Sequence, residues 1–155
     1  MLMVTSGVAA SLCYLAATGL QLQRMLKGSG TDGRVKLLAA LAIILHGFTA
    51  YKGFINTSGY DLGIYPMLSL MSLSIGAIVL ISSLRRPVDN LFVFVFPLAI
   101  STIILQIVLK GDYTPLQNIT GGIFSHIALS IIAYSLLTIA AAQALLLSFG
   151  DNMLR

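Results

Sequence analysis

Charge is what this sequence lacks most. Of its 155 residues only 9% are Asp, Glu, Lys or Arg, while 57% are hydrophobic and the mean hydropathy is +0.95. A soluble domain carries about 25% charged residues. The deficit leaves too little charge to cover a water-facing surface, so the chain reads as an integral membrane protein. Cysteine is nearly absent as well. The lone Cys13 excludes an intrachain disulfide and any CxxC redox or zinc pair. It lies in an apolar run, where a free cysteine packs as a small hydrophobe. The net charge of +4 does not point to nucleic acid, because the bases sit in short loops between apolar runs. That distribution sets membrane topology rather than a phosphate-binding face.

Five apolar runs are present, at residues 2–23, 35–55, 62–84, 91–109 and 121–148. Each is near the length of about 20 residues that a helix needs to cross a bilayer. No Lys or Arg precedes the first run, so it lacks the basic start of a secretory signal and reads as a retained helix. The fourth opens on strand formers, Phe92 to Phe96, but a lone strand cannot satisfy its backbone in hydrocarbon, so helix is expected there too. Pro97 is expected to kink it.

Arg24, Lys27, Arg34, Lys36, Arg85, Arg86 and Arg155 fall on one side of these runs, and Lys52 and Lys110 on the other. The positive-inside rule puts the larger set in the cytoplasm. The predicted fold is therefore all-α, a polytopic bundle of five transmembrane helices in one membrane domain, N-terminus out and C-terminus in. Residues 27–33, KGSGTDG, lack the spacing and strand context of a phosphate loop and read as a connector. The sequon at Asn118 to Thr120 carries no functional weight.

An ionisable residue within a membrane segment marks a candidate site. The chain has two histidines, His46 and His126, each inside an apolar run. His46 belongs to a stripe of Ala39, Ala42, Ala50 and Gly53 at helical spacing, which lets another backbone approach closely and turns the histidine toward protein. Ser69, Ser72, Gly76 and Ser83 form a similar stripe in the third run. His46 lies six residues before Lys52 and His126 six residues after Thr120. At 1.5 Å per residue both are expected about 9 Å below the outer surface, level with one another.

Zinc asks for three or four ligands, and no acid accompanies the histidines at that depth. Haem iron needs one or two axial ligands, most often histidine. Lys52 and Lys110 lie on the correct side to meet propionates. Three readings stay open on spacing alone: haem ligation by His46 and His126, histidines bonded across helices to Ser, Tyr or backbone, and an ion or solute pathway. Ser130 and Tyr134, one and two turns beyond His126, lie near its face.

Residues 126–137, HIALSIIAYSLL, continue as an Ala-rich run, residues 139–142, and then Gln143, Ala144 and Leu145. This segment resembles the histidine helix of the cytochrome c assembly family, the CcsA/HemX-like group, and is most similar to its YpjD-like inner-membrane branch. Leu45-His46 resembles that branch's second-helix histidine. The order of loops is similar too, and the likeness runs over essentially the whole chain, with the His126 helix its specific part. The resemblance implies haem handling in service of c-type cytochrome maturation at the bacterial inner membrane, with haem as cofactor and His46 and His126 as candidate axial ligands. Members of this kind run on through several further helices, and the synthetases among them carry a tryptophan-rich haem-binding segment there. This chain has no tryptophan. Its expected partners, besides the lipid bilayer, are other cytochrome c assembly subunits or a missing C-terminal half.

No nucleophile, base or metal triad stands at usable spacing, so no enzymatic activity is expected. The alternatives are a transporter or permease fragment, hinted at by Pro97 and Gln106 in the fourth run, and a scaffold subunit packing through its small-residue stripes.

Overall fold

The computed structural model describes residues 1–28, 32–56, 59–109 and 116–153. Lys110, Arg155 and the centre of the 27–33 connector lie outside them. The described chain is all-α apart from one small hairpin. Helices α1 (Leu2–Leu26), α2 (Gly33–Phe54), α3 (Ile64–Ser83), α4 (Phe92–Val108) and α5 (Gly121–Met153) fall on the five apolar runs. All five are long and apolar enough to span a bilayer, so the chain is a membrane protein with five spans among the described residues.

Local chemistry sets most of the helix ends. Asp32 caps α2 by accepting from the Arg34 backbone N–H at 3.4 Å, and its other oxygen is 2.6 Å from the Arg24 guanidinium. One carboxylate thereby caps α2 and ties it to the end of α1. At α3, the Asp61 carboxylate accepts from the Gly63 N–H at 2.8 Å. Pro66 occupies the first turn, where its missing N–H costs little. Thr120, which the sequon includes, caps α5: its hydroxyl oxygen accepts from the Ile123 N–H at 3.5 Å and its carbonyl from the Phe124 N–H at 3.0 Å. A 3-10 turn, Asp89–Leu91, leads into α4, which continues as helix through Pro97.

Helices α1 to α4 form a four-membered ring, in which α1 and α3 each pack against both α2 and α4. Lipid tails are as apolar as leucine, so close packing rather than hydrophobicity must select the inner faces. The α2 stripe does this as expected, with Ala39, Ala42, His46 and Ala50 all fully buried. Ser69, Ser72 and Gly76 line the inner face of α3 in the same way. Aromatics fill part of the interior: Phe92 stacks on Phe96 at 4.8 Å, and Phe96 meets Tyr14 at 5.0 Å.

Helix α5 stands outside the ring and packs against α3. Only 6% of its span is buried, against 22–44% in the others. Two contacts fix its position. The Ser135 hydroxyl lies 3.3 Å from the Met71 carbonyl. Within residues 52–61, expected as a plain loop, β1 (Ile55–Asn56) pairs antiparallel with β2 (Gly59–Tyr60) as a small hairpin. Tyr60 exchanges two backbone hydrogen bonds with Leu116, at 2.9 and 3.0 Å, and so ties the hairpin to the segment leading into α5.

On the inner side, the Lys36 ammonium reaches the Ser83 carbonyl at 2.5 Å and the Asp89 carboxylate at 3.5 Å. This cation joins α2, the end of α3 and the turn before α4, so it has a structural as well as a topological role.

Candidate functional site: two histidines on opposite faces of α3

His46 is fully buried within the ring. Both ring nitrogens are occupied. Nδ1 lies 3.3 Å from the Tyr14 hydroxyl of α1, and Nε2 lies 3.0 Å from the Ser69 hydroxyl of α3. A neutral imidazole has one donor and one acceptor nitrogen, and a hydroxyl can complement either. Tyr14 also meets the imidazole edge-on, at 5.9 Å between centroids and 88° between planes. His46 is therefore a three-helix junction.

The polar interior continues on both sides of it. One turn further along α3, Ser72 bonds to Thr102 of α4 at 2.6 Å. Toward the outer end, Ser6 of α1 bonds to Thr49 of α2 at 2.8 Å. Gln106 completes the series. The sequence suggests an interfacial residue, but only 7% of it is exposed. The space it fills is the one Gly53 leaves open, since a Cβ on Gly53 would stand 1.6 Å from Gln106 Nε2.

His126 has the opposite surroundings. It is exposed on the first turns of α5 and has no hydrogen-bond or ion-pair partner among the described residues. It opens onto a groove of about 310 Å³ between α3 and α5. Met67 and Met71 line the α3 side, and Ile131, Ser130 and Tyr134 line the α5 side. The expected grouping of Ser130 and Tyr134 with His126 is present.

The structure does not bring the two imidazoles together. Ser69, which touches His46, and Met67 and Met71, which line the His126 groove, are two residues apart on one helix. At 3.6 residues per turn that places them on opposite faces of α3. Nor do the histidines share a level. Ser135 beside Met71 sets the register of the parallel helices α3 and α5. His126 lies nine residues outward of Ser135, about 14 Å, while Ser69 lies two residues outward of Met71, about 3 Å. His46 therefore lies about 10 Å deeper than His126. The equal-depth expectation fails because it counts each histidine from its own helix end, whereas His46 lies eight residues inside Phe54, His126 five inside Gly121, and the register above leaves those two ends at unequal levels.

The groove meets several requirements of a haem site. Its volume is at the lower end of the range for ligand pockets, about 300–1,000 Å³. Its walls are mostly apolar, it is open on one side, and its donors are an imidazole, two thioethers and the hydroxyls of Ser130 and Tyr134, of which imidazole and thioether ligate haem iron in cytochromes. Among the described residues no three His, Cys, Asp or Glu side chains converge as a metal cluster. The buried His46 already meets a hydroxyl at each ring nitrogen. Lys52, the described outer cation, lies over the Phe48 ring at 5.8 Å.

No family model matches the sequence, and no solved structure matches it. Among curated proteins the chain is similar to the inner membrane protein YpjD of Escherichia coli strain K12, at 27% identity over 149 residues. The same protein from Escherichia coli O157:H7 aligns equally. The alignment takes in 94% of this chain and 57% of the relative, so the chain spans little more than half the length of the curated relatives it matches. With five helices able to span a bilayer and a likeness that takes in 94% of its length, the chain is a membrane protein similar to the inner membrane protein YpjD.

Proposed function

We propose that the protein is a non-enzymatic haem-binding component of c-type cytochrome assembly, and that His126 is its iron ligand. The observation that carries this reading is the position of His126: a histidine in a membrane helix, without a hydrogen-bond or ion-pair partner among the described residues, at the mouth of an apolar groove. An ionisable side chain is expensive in a bilayer and is normally paired or functional. His46 meets that demand through Tyr14 and Ser69, and a bound iron would meet it for His126. The resemblance of residues 126–137 to the histidine helix of the cytochrome c assembly family supports the same assignment. On this reading His46 holds α1, α2 and α3 in register and supports the face of α3 that the haem meets. The part of the curated relatives that this chain does not span, or a separate assembly subunit, would complete the enclosure of the ring.

The test is the absorption spectrum of the purified protein, oxidised and reduced, beside a His126→Ala variant. A Soret band that is present in the wild type and lost in the variant supports the proposal. A wild type that remains colourless when haem is supplied refutes it.

A further inference from the structure

The groove holds a second donor type that the histidine pair does not account for. Met67 and Met71 both line it, facing the α5 side that carries His126. Thioethers are soft ligands for haem iron, and a Met/His axial pair raises its potential. The register separates the two methionines. Met67 lies one turn outward of Met71, which reduces the offset from the level of His126 from about 14 Å to about 8 Å. Long side chains on a helix also lean toward its N-terminus, which on α3 is the outer end. A bare ion would leave most of a groove of about 310 Å³ empty, whereas a flat apolar macrocycle would use its walls.

We propose that the Met67 thioether is the second axial ligand, opposite His126, so that the site is a His/Met centre between α3 and α5 rather than a bis-histidine centre between α2 and α5. This inference rests on the haem reading above.

The experiment compares wild type, Met67→Leu and Met71→Leu, each loaded with haem in detergent. Methionine to leucine nearly conserves volume, so the variants should fold. The readouts are the near-infrared thioether-to-iron charge-transfer band of the ferric form and the midpoint potential. The expected result is a band in wild type and Met71→Leu that disappears in Met67→Leu, with the Soret band retained and the potential lowered. Met67→His should restore a six-coordinate spectrum at low potential. A haem-loaded wild type without the band, or a band that survives Met67→Leu, overturns the assignment and leaves the haem reading standing. A wild type that takes up no haem overturns both.

Discussion

The Ser69 hydroxyl lies 3.0 Å from Nε2 of His46, and that contact turns the second-helix histidine away from the groove that holds the fifth-helix one. Two residues to either side of Ser69, Met67 and Met71 face the other way, toward α5. Helix α3 is thus a partition: its inner face carries hydroxyls for the ring, and its outer face carries thioethers for the groove.

If His46 is a junction, removing its partners should cost stability and leave haem uptake intact. Interhelical hydrogen bonds in membrane proteins average about 0.6 kcal/mol and reach about 1.7. Tyr14→Phe and Ser69→Ala should each destabilise by an amount in that range, and the double variant, which leaves both ring nitrogens unpaired, by about the sum. Thermal unfolding of the detergent-solubilised variants measures this. No loss in either single variant would mean that the contacts contribute nothing.

Gly53 and Gln106 make a size-complementary pair. A Cβ on Gly53 would overlap the Gln106 amide, so Gly53→Ala should destabilise by about 1–3 kcal/mol, the usual cost of overpacking. Gln106→Ala should relieve most of that cost when combined with it. Additivity in the double-mutant cycle would disprove the contact.

Gly59 has a φ of +127° and its missing Cβ would stand 2.5 Å from the Leu116 carbonyl oxygen. Both the conformation and the backbone neighbour disfavour any side chain there. Gly59→Ala should cost about 1–3 kcal/mol in backbone strain alone. Because Tyr60 and Leu116 tie the hairpin to the start of α5, it should also raise amide hydrogen exchange in residues 121–126 ahead of the ring helices. Unchanged exchange there would show that the hairpin does not hold α5.

The spans were legible because each follows from a local property, a run long enough to cross a bilayer. The inner face of α2 was legible for the same reason, since Ala39, Ala42, His46 and Ala50 recur at helical spacing. Spacing shows which residues share a face but not which helix meets it, so Tyr14 could not be identified as the partner of His46. Depth was misread because counting from each helix's own end assumes that Phe54 and Gly121 stand at one level, and the register of α5 against α3, seen in the contact of Ser135 with Met71, is written in neither run. Gln106 was read as interfacial because a polar residue near a helix end usually is; its burial depends on a glycine 53 positions earlier. Met67 and Met71 drew no notice because methionine in an apolar run looks like lipid-facing filler until a histidine is placed opposite.

The most direct test of the account is a haem titration of three proteins side by side: wild type, His126→Ala and His46→Gln, which keeps a side-chain hydrogen-bonding group in the ring. The account predicts that His46→Gln binds haem with a Soret spectrum like that of wild type, and that His126→Ala fails to bind or binds only weakly. Loss of binding in His46→Gln with retention in His126→Ala would contradict it, and would place the iron in the ring rather than in the groove.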